Sequence, residues 1–445
     1  MGRSRLFVLA RAVSVAVCAL FPALVVAQSS FQDEIANLRS PNRGTRVNAA
    51  KALGKSGRPE AIPALTEATR DPELKVRKVV VRALRSFTSS ETVDGMLVSL
   101  RDDDKGIRKE AMFGLLEIYV GVGNAEMSGL FDWILGSRIL GSGKRTPVLK
   151  GLVPVDPRVV SGFEVRLQDE EPSLRQRAAY SLGVLDATDA VDTLGAAIYD
   201  PAKNVRLQAI EALGQIGSDE AGEALREALR DGSKDISATA ISALGSMRYK
   251  PAASELIAIY DNAKGNKLVG RALVALSLMG APEARGIFYH QMTSSRSEQR
   301  RWAAEGLGRL DDESLVPGLS KDFLREPEAR VQLAYCFSLA SLGRAEFVDR
   351  IALSLGNKKL REQAHDYAVE LGSPLLDELV SYLTDPDPEV RRELALVLME
   401  IGDAAAIPYL EPLLSDTDRE VADLANRAIS HLEQGRRSAS NTIGR

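Results

Sequence analysis

The sequence contains few of the side chains that carry thiol, metal or aromatic chemistry. Its 445 residues include only 2 Cys, 3 His and 2 Trp, and aromatic residues make up 5%. So few Cys and His disfavour a disulfide scaffold and a zinc protein. The 57 Lys and Arg stand against 61 Asp and Glu, and the net charge of −4 disfavours a nucleic-acid binder. Because hydrophobic residues still reach 45%, the core must consist mainly of Ala, Leu, Val and Ile.

Residues 1–27 have the pattern of a cleaved secretory signal peptide. Arg residues occupy three of the first eleven positions, an apolar stretch covers 12–26, and short side chains at 25–27 precede Gln28. The apolar stretch is shorter than the roughly 20 residues that cross a bilayer. We therefore expect export to the periplasm or the cell exterior and no membrane span in the mature form. A buried N-terminal helix, or a lipoprotein that carries its lipid on Cys18, is less favoured.

Removal of this leader changes the charge and the cysteine content. The mature chain has a net charge of about −7, because three Arg and no acidic residue are lost. Cys336 is then the only cysteine, so no internal disulfide can form. It lies in the apolar run 334–337, where we expect a small buried side chain and not a reactive thiol.

A ten-residue pattern recurs through the remaining chain at intervals of about 31 residues, as in VRLQAIEALG at 205–214 and TRVNAAKALG at 45–54. Positions one, five, eight and nine share one helix face, with Ala at the fifth and Leu at the ninth. A Gly that can end the helix in the left-handed conformation follows in six copies. These are Gly57, Gly217, Gly280, Gly343, Gly372 and Gly402. With one degenerate copy near Lys144, the pattern predicts thirteen repeats.

A short second helix is predicted to follow each first helix. Segments such as AIPAL at 61–65 have its pattern, and Asp-Pro pairs such as Asp71-Pro72 close the unit. Together these residues resemble the HEAT repeat, in the variant found in phycobilisome lyases, over residues 28–433. The resemblance implies an all-α solenoid in which first helices lie on the convex side and second helices on the concave side.

Acidic residues precede most copies of the pattern by five positions, and Arg occupies its second position. The acids include Asp71, Asp102, Asp169, Asp200 and Asp385, and the Arg residues include Arg77, Arg108, Arg175, Arg206 and Arg391. Such rows can also indicate paired catalytic carboxylates or a phosphate site. The HEAT resemblance implies instead a structural ladder, in which these side chains tie adjacent repeats together.

Partner binding is expected where the repeat is irregular. The Gly-rich insertion 121–143 contains Trp133 and is either a binding loop or a packed degenerate helix, of which the packed helix is favoured. Between residues 268 and 360 the ladder loses members and aromatic residues concentrate. Trp302 occupies a position that is polar in many repeats, so it is either an exposed interface anchor or part of a locally repacked convex face, of which the repacked face is favoured. Tyr289 and His290 lie on a second helix, where they can face the concave side.

Catalytic motifs are absent from the sequence. It lacks the His-Glu pairs of HEAT-type metal hydroxylases, the G-x-S-x-G and H-E-x-x-H motifs and a dinucleotide fingerprint. Bilin lyases share the repeat, but a shared scaffold carries no activity by itself. We therefore predict a protein that is not an enzyme and has no catalytic residues, no cofactor and no metal.

The sequence thus predicts an interaction scaffold of the bacterial cell envelope or exterior that binds a protein or peptide and no nucleic acid. A self-associating structural envelope protein is the alternative, and a HEAT-fold lyase or metal hydroxylase is less favoured. Hydrophobic periodicity stops after Leu432, so residues 434–445 are predicted to form a disordered tail.

Overall fold

The computed structural model describes residues 30–120, 155–262 and 266–443, and in these ranges the chain is an all-α solenoid. Each of the first eleven repeats has a first helix and a shorter second helix, and a twelfth first helix ends the described chain. The first helices are α1 (Arg43–Ser56), α3 (Leu74–Arg85), α5 (Lys105–Val120), α7 (Pro172–Val184), α9 (Lys203–Ile216), α11 (Lys234–Ser246), α13 (Asn266–Met279), α15 (Ser297–Gly308), α17 (Ala329–Ser341), α19 (Arg361–Leu371), α21 (Pro388–Ile401) and α23 (Arg419–Ile443). The second helices are α2 (Ile62–Ala68), α4 (Val93–Ser99), α6 (Pro157–Arg166), α8 (Val191–Ala197), α10 (Asp219–Ala228), α12 (Ala253–Asn262), α14 (Arg285–Met292), α16 (Val316–Phe323), α18 (Val348–Ser354), α20 (Leu376–Val380) and α22 (Ile407–Leu410).

The core consists of the small and branched residues that the pattern places on one helix face. Its ninth position is filled by Leu residues that are at most 1% exposed: Leu53, Leu84, Leu115, Leu182, Leu213, Leu244, Leu276, Leu307, Leu339 and Leu398. Ala at the fifth position, as in Ala49 and Ala209, is fully buried. The predicted apolar face is confirmed, and it explains how a core can form with so few aromatic residues.

First helices of neighbouring repeats approach each other closely at the tenth position of the pattern. A Cβ added to Gly54 would lie 2.7 Å from the Cβ of Ala83 on the next first helix. Gly245 faces Ala275 in the same way, at 2.8 Å between the corresponding Cβ positions. Only Gly leaves room for this contact, so the small residues of the pattern set the spacing between first helices.

A left-handed residue ends ten of the first helices. The six predicted Gly residues all have positive φ, between 56° and 82°. The other four repeats place Thr88, Asp186, Arg248 and Asp311 there, with φ between 46° and 56°. Left-handed backbone is costly for residues with a Cβ, so these four positions are locally strained.

The described residues contain twelve first helices, and the further repeat predicted near Lys144 lies outside the described residues. α5 packs directly against α7, and α4 packs directly against α6, as first and second helices of successive repeats do elsewhere in the chain. α5 and α7 are therefore neighbouring first helices, although residues 121–154 separate α5 from α6 along the chain. The 67-residue gap between copies of the pattern allowed either interpretation, because sequence spacing alone cannot distinguish an insertion from a degenerate repeat.

The chain divides into two compact units, residues 1–232 with repeats 1 to 5 and residues 233–445 with repeats 6 to 12. In the second unit the Tyr367 hydroxyl of α19 donates a hydrogen bond to Glu305 of α15, two repeats away. Contacts between alternate first helices require these helices to lie on the inner side of a bend. The expectation that first helices are convex is therefore wrong for the second unit.

The last helix, α23, continues to Ile443. Its backbone therefore differs from the prediction of a disordered tail over residues 434–445. Loss of hydrophobic periodicity shows that a segment lacks a buried face, but it does not by itself end a helix that has already formed. The segment from residue 434 to Ile443 contains no Pro.

Candidate interaction surface

The predicted ladder is formed by ion pairs in which an Arg of one first helix reaches the acid before the next first helix. The shortest N–O distances lie between 2.6 and 3.0 Å. The pairs are Arg46–Asp71, Arg77–Asp102, Arg108–Asp169, Arg175–Asp200, Arg206–Asp231, Arg300–Glu326 and Arg391–Asp416. The carboxylates are therefore committed to holding repeats together.

Arg175 shows how one rung is built. Its Nε and Nη2 donate to the two carboxylate oxygens of Asp200 at 2.7 and 2.9 Å, and its Nη1 donates to the Asp169 carbonyl at 2.8 Å. Asp200 also accepts the Ala202 amide at 2.7 Å. Burial raises the pKa of Asp200, but the hydrogen bonds from Arg175 and the Ala202 amide outweigh it and hold the pKa below its usual value.

The ladder changes in the second unit. Gln332 stands where other repeats have Arg, and its Nε2 donates to the Glu326 carbonyl at 2.6 Å. Arg361 pairs with Glu389 at 2.6 Å. Among the described residues, the Asp385 carboxylate accepts the Asp387 amide and contacts no guanidinium. The prediction that Asp385 acts as a rung is therefore wrong for its carboxylate, although its carbonyl accepts from Arg391 at 2.7 Å.

Next to this altered rung, a one-residue insertion exposes an apolar side chain. Arg300 and Glu326 are 26 residues apart, whereas most of the other pairs are 25 apart. The Glu326 amide bonds to the Asp322 carbonyl four residues back, where the Asp200 amide reaches back only three. The extra residue turns Leu324 to solvent, and its side chain is 81% exposed.

Leu324 belongs to a cluster that we call the α16–α18 patch: Phe323, Leu324, Phe347, Arg350 and Leu353. The rings of Phe323 and Phe347 meet edge to face at 5.5 Å, and the Arg350 guanidinium lies 5.3 Å from the Phe323 ring centroid. Leu353 is 51% exposed and follows Arg350 by three residues, so both lie on one face of α18. Apolar side chains grouped around an exposed Arg are typical of protein interfaces.

Three of the four residues predicted to bind a partner, Tyr289, His290 and Trp302, lie in the part of the chain that the structure describes. Tyr289 is 52% exposed and His290 is exposed beside it on α14, while the neighbouring Phe288 is buried. Trp302 is only half-buried and not fully exposed, since the Arg301 guanidinium lies 4.0 Å from its ring centroid. Trp133 lies outside the described residues.

Sequence reasoning missed the α16–α18 patch, although one signal was available. The distance from the pattern at 299 to the pattern at 331 is 32 residues, one more than the usual 31. That difference predicts an extra residue in the second helix, but it does not show which side chain the residue displaces. At most equivalent positions the residue is buried, as Ile198 is at 3% exposure, and Leu414 at 47% is an exception.

A second concave region lies in the first unit, at the start of α4 and α6. This cleft of about 450 Å³ is lined in part by Glu91, Asp94 and Asp156. Arg158 pairs with Asp94 at 2.8 Å and with Asp156 at 2.6 Å, so two of the three carboxylates are already satisfied. The cleft is therefore a weaker candidate for ligand binding than the exposed patch.

Few groups suitable for thiol or metal chemistry occur near these surfaces. Cys336 is fully buried on α17, as predicted, and burial raises its pKa to about 12. Across residues 30–120, 155–262 and 266–443, no three His, Cys, Asp or Glu side chains group as metal ligands would. In the same ranges, no helix has the length and hydropathy required to cross a bilayer.

The comparisons with known proteins agree with this architecture. The HEAT-repeats family matches residues 34–116, 160–245 and 347–430, which is more than half of the chain. The chain belongs to the HEAT-repeat family, whose members commonly bind proteins. No curated protein matches it.

The solved structures that match this chain include three of different origin. An engineered protein is 18% identical, covers 77% of this chain and 98% of its own length, and has a TM-score of 0.35. A structure from work on the interaction between cadherin and β-catenin is 13% identical over 90% and 100% of the two chains, with a TM-score of 0.38. The CpcE–CpcF complex of phycocyanin lyase from Nostoc sp. PCC7120 is 23% identical over 61% and 92%, with a TM-score of 0.26.

Proposed function

We propose that this protein is a non-catalytic scaffold of the bacterial cell envelope or exterior that binds a protein or peptide through its second unit. The support comes from the exposed α16–α18 patch, above all from Leu324 at 81% exposure. A repeat array presents many side chains over a large area and can bind a partner without a conformational change. The ladder carboxylates are committed to structure, which favours a binding role for this protein over a catalytic one.

The patch has the composition of an interface centre. Leu324 and Leu353 supply apolar area, and Arg350 supplies hydrogen-bond donors beside the two aromatic rings. Burying Leu324 fully against a partner would contribute about 1.5–3 kcal/mol. Tyr289, on the second helix of the preceding repeat, is a further contact candidate of the kind that dominates protein interfaces.

Affinity capture from the source cell envelope tests this proposal. We expect the wild-type chain to enrich a protein at physiological salt and Leu324→Ser to lose it. Leu414→Ser is the matched control, because Leu414 is 47% exposed and also stands two residues before a ladder acid. The proposal fails if both variants capture equally, or if nothing is captured while a turnover assay is positive.

Self-association through the same patch is the second candidate function, since exposed Leu324 and Leu353 can bury each other in a pair of copies. Sedimentation velocity over a range of concentrations separates the two. A sedimentation coefficient that rises with concentration in the wild type, but not in Leu324→Ser, favours self-association. A constant monomer value favours a different partner.

Export is proposed from residues 1–27 alone. Fusing these residues to a reporter enzyme that is active only outside the cytoplasm tests it. We expect activity and a mature N-terminus at Gln28. A silent reporter, or a mature chain that still begins with the leader, would remove the envelope from the proposed function.

A further inference from the structure

A buried polar cluster joins first helices that are not neighbours in the second unit. Arg309, just after α15 of repeat 8, donates from Nε and Nη2 to the two carboxylate oxygens of Glu370 on α19 of repeat 10, both at 2.8 Å. Arg248, just after α11 of repeat 6, reaches the same carboxylate at 2.5 Å. Tyr367 of α19 donates to Glu305 of α15, which also pairs with Arg309 at 3.3 Å.

The cluster is shielded from water at its centre. The side chains of Arg309 and Glu305 are 7% and 2% exposed, and Tyr367 is 3% exposed. Arg248 is the outer member, at 42%. Buried charge pairs are little weakened by salt. Removal of one partner leaves the other charge buried without a counter-charge. The cluster is therefore buried at Arg309, Glu305 and Tyr367, partly exposed at Glu370, which is 20% exposed, and most accessible at Arg248.

These contacts span more repeats than solenoid packing allows. Repeats in a solenoid contact only their nearest neighbours, so the curvature of the array is normally the sum of many small, easily deformed angles between adjacent repeats. At about 8–10 Å per packed helix, the four steps from α11 to α19 cover about 32–40 Å of contour. Glu370 nevertheless contacts Arg248, so the ends of the two helices meet across the inner side of the bend.

The backbone at Arg248 provides a second, independent observation. Its φ is 55°, at the position where six other repeats have Gly. An Arg in the left-handed conformation is less favourable than one in an ordinary helical or extended conformation, because its Cβ crowds the neighbouring carbonyl oxygen. A Gly here would relieve that cost, but it would also remove the guanidinium that reaches Glu370.

We infer that Arg248, Glu305, Arg309, Tyr367 and Glu370 form a curvature lock that fixes the bend of repeats 6 to 10. The curvature lock restricts the angles between these repeats, so the array keeps one radius of curvature. Repeats 8 and 9 carry the α16–α18 patch and lie within this arc. Where the proposed function holds, the lock pre-organises the patch and lowers the entropy lost on binding.

Distance measurements between spin labels test the lock without any partner, so its failure is distinguishable from failure of the proposed function. Labels are placed at Lys250→Cys and Asp377→Cys, both exposed, in the full chain with Cys18→Ser; the buried Cys336 stays unlabelled. We expect a narrow distance distribution in the otherwise unmodified chain. Glu370→Gln should shift the mean to longer distance and broaden the distribution.

Two further variants make the result decisive. Glu326→Gln breaks a buried ion pair between adjacent repeats of the same unit, so it should lower stability and leave the distribution unchanged. Arg248→Gly opens only the outer arm and relieves backbone strain, so it should broaden the distribution partially in a folded chain. The inference is overturned if Glu370→Gln leaves the distribution unchanged, or if Glu326→Gln broadens it equally.

Discussion

Replacing Asp200 with Ala removes one rung of the ladder between repeats 4 and 5. The change deletes a carboxylate that is 8% exposed and holds Arg175 through two hydrogen bonds. It also removes the acceptor of the Ala202 amide, which donates a hydrogen bond to the Asp200 carboxylate at 2.7 Å. The Arg175 guanidinium keeps its bond to the Asp169 carbonyl, so its charge stays in place with only part of its hydrogen bonding.

The expected loss of stability is about 1–3 kcal/mol, the cost of leaving a buried donor without its acceptor. It stays below the 3–5 kcal/mol of a fully buried pair, because Arg175 is 13% exposed and water can reach part of it. Repeat arrays can unfold in parts, so the loss should be concentrated in the helices beside the rung.

Amide hydrogen exchange measures that local loss directly. Protection in α7 and α9 should fall by the equivalent of about 1–3 kcal/mol, while α1 and α3 change little. Asp385→Ala is the matched control, since Asp385 holds the same ladder position but its carboxylate binds no guanidinium among the described residues. Equal effects of the two substitutions, or unchanged protection in Asp200→Ala, would refute the ladder.

Three other properties follow from the fold. Gly57→Ala should destabilise the fold by about 1–2 kcal/mol through its left-handed backbone alone, because a Cβ there meets nothing within 4 Å. Gly54→Ala should destabilise the fold more, since its Cβ would clash with Ala83. The urea midpoints of the two variants give their order. Cys336 should resist thiol reagents at pH 8 until the chain unfolds, because burial raises its pKa to about 12; rapid labelling of the native chain would contradict this. The contribution of the ladder to the free energy of unfolding should be fully present above about pH 5 and should fall as the pH drops through 4, because the pKa of Asp200 is depressed in the folded chain. A urea midpoint that already declines between pH 7 and 5 would contradict this.

Much of the fold follows from the sequence because each repeat obeys the same local rules. Leu at the ninth position must be buried in every copy, and a Gly after the first helix has a single conformational reason to recur. Arg175 and Asp200 could be paired in advance, since their 25-residue separation is repeated along the chain. That α5 and α7 are neighbouring first helices could not be predicted, because only helix packing shows it across the 67-residue gap in the pattern.

The interaction surface was harder to predict because it depends on small departures from the repeat. Leu324 has the residue type of a core position, and one extra residue in α16 turns it outward. Trp302 has the residue type of a surface anchor, but the adjacent Arg301 covers its ring. The curvature lock joins residues more than 100 positions apart, from Arg248 to Glu370, which no local pattern can indicate.

Photo-cross-linking from residue 324 in the source cell tests the central claim most directly. A benzophenone side chain replaces Leu324 in one strain and Leu414 in another, and adducts are identified by mass spectrometry. A scaffold that binds through the α16–α18 patch should give one discrete adduct with another protein from position 324 and none from position 414. No adduct from position 324, the same adducts from both positions, or an adduct only with a second copy of this chain would contradict the account.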